Sequence, residues 1–110
     1  MQGELRSKIE ELIKTHDVML FMKGTKQFPA CGFSNTVVEI LKKEGVAFGT
    51  YNILSDPELR QGLKEYSSWP TYPQLYVRGK FVGGCDIVTE MHQSGDLARE
   101  LVVAGVKSAG

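Results

Sequence analysis

The residues of this chain that can do chemistry fall in three short stretches. The first, Cys31-Gly32-Phe33-Ser34, follows a loop containing Gly24 and Pro29 and precedes an apolar pattern of helical period, so Cys31 stands where a loop hands over to a helix. Unpaired backbone N–H groups and the positive end of the helix dipole stabilise a thiolate at such a place, and Lys23 adds charge. A thiolate is both the nucleophile of disulfide exchange and a soft metal ligand. A buried, inert cysteine is the alternative. A second cysteine three residues on would make a dithiol redox pair, but Ser34 stands there and cannot close a disulfide. Dithiol reduction resolved by a neighbouring thiol is therefore unavailable. Gly32 leaves the backbone accessible beside the sulfur, and Phe33 either packs inward or shields one side.

The second stretch is Trp69-Pro70-Thr71-Tyr72-Pro73. Two prolines bracketing Thr and an aromatic cannot be helix and cannot lie in a central ladder. A cis peptide before Pro73 would fix an extended edge with free N–H and C=O groups, suited to a peptide-like ligand; a rigid trans turn is the commoner outcome. The third is Gly83-Gly84-Cys85-Asp86, where the glycines let backbone approach a ligand. Asp86 reads as a helix N-cap that also accepts from an ammonium group, and Cys85 as packing or a second thiol. Lys23 and Arg60 are surface charges by default, although the Arg60 guanidinium suits a carboxylate.

The elements that must position these residues follow from period and punctuation. Leu5, Ile9, Leu12 and Ile13 predict an amphipathic helix, and Val18 to Met22 a buried strand. Lys23 to Ala30 is a loop. Phe33, Val37, Ile40 and Leu41 predict a helix stopped by Gly45, and Val46 to Leu54 contains a second strand. Ser55-Asp56-Pro57-Glu58 has capping-box spacing before a helix from about Asp56 to Tyr66, with Leu59, Leu63 and Tyr66 inward. Gln74 to Arg78 and Lys80 to Val82 predict a hairpin turning at Arg78-Gly79, with Gly79 supplying a positive φ. Asp86 opens a helix to about Gln93, and Ser94-Gly95-Asp96 restarts one carrying Leu97, Leu101 and Val102. Residues from Ala104 to Gly110 read as a frayed tail. The order α, β, α, β, α, β, β, α, with one more α, fits a thioredoxin-like α/β fold: a mixed four-stranded sheet flanked by helices on both faces.

Composition narrows the function classes. The 110 residues suit one domain, and thirteen basic against thirteen acidic side chains give zero formal charge, unlike a whole domain that adheres to nucleic acid. No apolar run is long enough to span a membrane, and the first twenty residues lack the pattern of a secretory or transit segment. Two cysteines 54 positions apart are too few for a disulfide scaffold.

Lys23-Gly24-Thr25, Cys31-Gly32-Phe33-Ser34, Trp69-Pro70-Thr71-Tyr72-Pro73 and Gly83-Gly84-Cys85-Asp86 together resemble the monothiol glutaredoxins over roughly residues 5 to 103. Asp56-Pro57-Glu58-Leu59-Arg60-Gln61-Gly62 and Met91-His92-Gln93-Ser94-Gly95-Asp96-Leu97 are similar to single-domain mitochondrial members. The Gln27-Phe28-Pro29 loop and Gln61 to Ser67 are equally similar to plastid ones. The resemblance implies bound glutathione and a labile [2Fe-2S] cluster held between two protomers, with Cys31 as cluster ligand and catalytic thiol. It implies that Lys23 and Arg60 meet the glycine-end carboxylate of glutathione. Thr71, Tyr72 and Pro73 line its backbone, and Cys85 and Asp86 receive its γ-glutamyl end. It also implies a homodimer when cluster-bound and a monomer as apoprotein, with BolA-type proteins and apo iron-sulfur acceptors as partners. The implied place is the mitochondrial matrix, with plastid stroma or bacterial cytoplasm as alternatives. One protomer offers a single well-placed sulfur, Cys31, and a [2Fe-2S] cluster takes four thiolates, so two protomers and two glutathiones complete the set. The first functional expectation is a glutathione-dependent cluster carrier in iron-sulfur assembly and delivery. The second is a monothiol oxidoreductase that removes glutathione from proteins, with weak or no classical glutaredoxin activity. The third is a redox sensor in which Cys31 and Cys85 form a reversible disulfide.

Overall fold

The computed structural model describes residues 3–109. Helix α1, Gly3–Lys14, leads into strand β1, Val18–Met22, and then helix α2, Gly32–Glu44. Strand β2, Gly49–Asn52, runs through a 3₁₀ turn at Ile53–Ser55 into helix α3, Pro57–Ser67. Strands β3, Gln74–Val77, and β4, Lys80–Gly83, form a hairpin, followed by helices α4, Cys85–Ser94, and α5, Asp96–Val103.

The sheet order is β2-β1-β3-β4. β1 runs parallel to β2, with Met19 opposite Gly49 and Met22 opposite Asn52, and antiparallel to β3, with Val18 opposite Val77 and Phe21 opposite Gln74. The β1-α2-β2 crossover accounts for the parallel pair, because parallel strands need a long connection. Every residue of β1 is buried, as an inner strand covered on both faces requires. Its side chains alternate between two cores. Val18, Leu20 and Met22 pack with Val37, Leu41, Val88 and Leu97 beneath α2, α4 and α5. Met19 and Phe21 pack with Ile9, Leu59, Leu63 and Tyr76 beneath α1 and α3. Truncating a fully buried side chain such as Phe21 to Ala costs roughly 3–5 kcal/mol.

Three local expectations are corrected and one, the hairpin turn, is extended. The N-cap of α3 is Asp56, whose carboxylate accepts from the Leu59 N–H at 3.2 Å; Pro57 takes the first helical position and shifts the cap one residue past Ser55. The cap of α4 is the extended backbone of Gly84, so Asp86 lies inside the first turn and makes no capping hydrogen bond. In the hairpin turn Arg78 as well as Gly79 has positive φ, 51° and 79°. Arg78 is held there by its N–H to the Asp17 carbonyl at 2.7 Å and its Nε to the Ala104 carbonyl at 2.8 Å. The segment after α5 is anchored rather than frayed: Ala47 N–H donates to the Lys107 carbonyl, Ala109 N–H to the Gly45 carbonyl, and Val46 and Ser108 form a β-bridge. Gly110 lies outside the described residues.

Candidate functional site

The loop from Lys23 to Ala30 folds on itself before it delivers Cys31. Ala30 N–H donates to the Lys23 carbonyl at 2.9 Å, Thr25 N–H to the Phe28 carbonyl at 3.2 Å, and Gly24 bridges Pro29. Gly24 is required, because its φ is +91° and a Cβ there would lie 2.4 Å from the Ala30 nitrogen. Asn52 Oδ1 accepts from Gly24 N–H at 3.0 Å and ties the loop to the end of β2.

Cys31 is the N-cap residue of α2, with extended backbone, and its side chain makes no capping bond. The half-exposed sulfur is therefore free for chemistry. The Ser34 and Phe33 N–H groups, the Lys23 charge and the Ser34 hydroxyl hold its thiol below the usual range against a smaller opposing effect of burial. Ser34 itself is wholly buried, and its Oγ accepts the Lys23 N–H at 3.1 Å. Phe33 does not pack inward: it is 63% exposed, beside the sulfur, and Phe28 at the loop tip is 81% exposed.

Cys31 opens onto a cleft of about 330 Å³. The cleft brings together Lys23, Cys31, Arg60, Thr71, Tyr72, Cys85 and Asp86, drawn from the β1-α2 loop, α3, the loop before β3 and the start of α4. Pro73, buried, lies behind the lining rather than in it. The Tyr72–Pro73 peptide is cis. The Tyr72 ring is buried and its hydroxyl donates to the Arg60 carbonyl at 2.5 Å, which joins this loop to α3. Lys64, Trp69, Phe33, Pro70 and Gly84 also line the cleft. Lys64 follows Arg60 by four residues on α3, the spacing that puts two side chains on one helix face, and that spacing was available in the sequence.

Lys23, Arg60 and Lys64 form no ion pair among the described residues, nor does Asp86. The N-termini of α2 and α4 add unpaired N–H groups and positive dipole ends. The arrangement suits a small ligand with separate carboxylates and an ammonium group. Cys31 and Cys85 both line the cleft as free thiols. No three His, Cys, Asp or Glu side chains among the described residues are grouped to hold a metal ion. No helix among them is long and apolar enough to cross a membrane.

The glutaredoxin family model matches residues 18–82. The chain is 54% identical over 104 residues to the uncharacterized monothiol glutaredoxin ycf64-like of Synechocystis, covering 94% of this chain and 97% of that one. It is 52% identical over 105 residues to the mitochondrial glutaredoxin-related protein 5 of Danio rerio, covering 94% and 68%. Some relatives are much longer: the match to rice monothiol glutaredoxin-S11, at 55% identity, takes in 87% of this chain and 20% of that protein. The solution structure of reduced poplar apo GrxS14 superposes with a TM-score of 0.82 at 55% identity, covering 91% of this chain and 92% of that one.

Proposed function

Because the chain belongs to the monothiol glutaredoxins, we propose that it binds glutathione in the Cys31 cleft and carries a [2Fe-2S] cluster as cargo to apo iron-sulfur proteins. The observation that carries this reading is the pairing of one activated, half-exposed thiol, Cys31, with a buried hydroxyl, Ser34, where a resolving thiol would stand. A single thiolate cannot hold a cluster that takes four. The donor set closes when two copies each bring Cys31 and one glutathione thiolate, so the dimer forms with its cargo and the apoprotein is a monomer. Dependence on a diffusible thiol makes the cargo easy to release, as a carrier needs.

In this reading Lys23 and Arg60, with Lys64 beside them, attract the glycine-end carboxylate of glutathione. The Tyr72 backbone pairs with the tripeptide, Thr71 and Pro73 shape that edge, and the Cys85 N–H and the Asp86 carboxylate receive the γ-glutamyl end. BolA-type proteins and apo iron-sulfur proteins are the partners. The mitochondrial relative supports residence in the mitochondrial matrix, and the cyanobacterial relative and the chloroplastic ones of rice and Arabidopsis support a bacterial cytoplasm or plastid stroma equally. Immunoblotting of fractionated source cells decides among them.

Reconstitution with iron, sulfide and glutathione tests the carrier. A coloured dimer with visible absorption is expected, and Cys31→Ser loses both colour and dimer. A colourless monomer under those conditions overturns the reading.

The lowered Cys31 pKa favours a second activity, removal of glutathione from proteins. The Cys31 thiolate attacks the glutathione sulfur of a mixed disulfide, a Cys31–glutathione disulfide forms, and the protein thiolate leaves. A second glutathione thiolate then attacks that disulfide, releasing oxidised glutathione and restoring Cys31. Turnover of a glutathionylated peptide is the measure; near-absence of turnover leaves the carrier role alone.

A further inference from the structure

The cleft wall from Trp69 to Tyr72 is irregular backbone, and two of its carbonyls, those of Trp69 and Thr71, turn inward to a buried side chain. Gln74, the first residue of β3, is wholly buried, a costly place for an amide unless all of its groups are bonded. They are. Its Nε2 donates to the Trp69 carbonyl at 3.2 Å and to the Thr71 carbonyl at 3.3 Å, and its Oε1 accepts from the Tyr76 hydroxyl at 3.2 Å. The orientation follows from chemistry, since two carbonyls can only accept and the amide nitrogen must face them. Burial pushes the Tyr76 phenol up to about 12, so it keeps the proton it donates.

One side chain thus holds two carbonyls of the segment leading into Tyr72. The Tyr72 ring is buried and its hydroxyl is engaged with Arg60, so what Tyr72 offers the cleft is its backbone. Neither its N–H nor its C=O has a backbone partner among the described residues. We propose that Gln74 is a positioning residue for ligand binding: by holding the Trp69 and Thr71 carbonyls it keeps the Tyr72 backbone turned to the cleft, where a peptide ligand pairs with it. The proposal rests on the glutathione reading of that cleft.

The role differs from filling space. An apolar side chain of equal size occupies the same volume but leaves two carbonyls without donors, and the loop shifts to recover them from water. Gln74→Met is that variant. Its Kd for glutathione, measured by calorimetry, is expected to rise roughly tenfold. The rate of Cys31 alkylation stays at the wild-type value, because the groups that lower that thiol lie on α2 and at Lys23. Tyr76→Phe removes only the hydroxyl that orients the amide; it gives a smaller loss in the same direction and carries the test if Gln74→Met does not fold.

Amide hydrogen exchange separates positioning from general stability. In both variants faster exchange is expected at Trp69, whose N–H donates to the Lys64 carbonyl and the Ser67 hydroxyl at 3.2 Å each, with the β1–β3 ladder unchanged. Wild-type exchange at that amide with unchanged affinity overturns the proposal, and so does a uniform loss of protection through β1. If the wild-type protein binds no glutathione, the functional reading fails on its own, and exchange still decides whether Gln74 holds the loop.

Discussion

The Lys23 backbone N–H donates to the wholly buried Ser34 hydroxyl at 3.1 Å, across the junction between the end of β1 and the first turn of α2. The residue at the place of a resolving thiol is therefore a structural acceptor as well as a missing sulfur. It fixes the residue whose charge helps to ionise Cys31, and its own N–H and hydroxyl lower that thiol directly.

Ser34→Ala leaves the partly buried Lys23 N–H without its acceptor and is expected to cost roughly 1–2 kcal/mol. It also removes one of the groups that lower the Cys31 thiol. Denaturant unfolding and the pH profile of Cys31 alkylation are expected to shift together. A stability loss with no change in the thiol profile contradicts the second half of the prediction.

Cys31 in the folded protein ionises more readily than an unperturbed thiol, because the Ser34 and Phe33 N–H groups and the Lys23 charge favour its thiolate. Its alkylation by iodoacetamide is expected to reach half-maximal rate at lower pH than that of free glutathione, and Lys23→Gln moves the midpoint upward. The sign for stability follows, because a depressed folded pKa favours the folded state above the unfolded pKa. That contribution disappears as pH falls through the folded value. Cys31→Ser is therefore expected to narrow the stability difference between pH 9 and pH 6. A midpoint at or above that of glutathione is the contrary result.

Asp56 gathers three partners: Lys8 Nζ at 2.7 Å, the Tyr51 hydroxyl at 2.8 Å and the Leu59 N–H at 3.2 Å. Lys8 first, then Tyr51 and the helix N–H, hold its carboxyl below the usual carboxylate range. The stability this gives is complete above the ordinary aspartate pKa, near 3.9, and is lost as pH falls through the lower folded value. Asp56→Ala is expected to cost about 1 kcal/mol at neutral pH through loss of the cap. Its deficit shrinks in urea titrations as pH falls below the ordinary aspartate pKa. A deficit that is constant with pH would assign the loss to packing.

Gly24→Ala is expected to destabilise by about 2 kcal/mol, because the left-handed backbone and a Cβ 2.4 Å from the Ala30 nitrogen cannot both be accommodated. The same change displaces the loop that delivers Lys23 and Cys31, so Cys31 alkylation slows as well. Thermal melting with parallel alkylation kinetics checks both, and a neutral variant contradicts the loop geometry described here.

The elements were legible because their signals were local. The continuous apolar run Val18 to Met22 and the helical spacing of Val37, Ile40 and Leu41 each admit one structure. The caps were not, since Ser55 and Asp56 are both good cap residues; Pro57, which fits the first helical position, decides for Asp56. Asp86 misled for a different reason: the extended Gly84 backbone takes the chain from β4 into α4 one residue earlier than side-chain preference suggests. The site residues came from short motifs far apart in the chain, and the fold brings them to one cleft. Lys64 carries little signal by itself, because a lysine on a helix surface is ordinary until Arg60 four residues before it faces the same cleft. The buried bonds of Gln74 carry no sequence signal, because they depend on where the loop carbonyls fall.

The chain contains a single tryptophan, Trp69, whose ring centroid lies 5.7 Å from that of Phe81 in the wall of the cleft and whose indole nitrogen is buried with no hydrogen-bond partner among the described residues. All tryptophan emission therefore originates at one known spot, in the wall of the Cys31 cleft. An indole N–H without a partner is sensitive in intensity and wavelength to any change in nearby polarity. The unmodified protein carries its own optical gauge of cleft occupancy, readable in a cuvette without label or cluster.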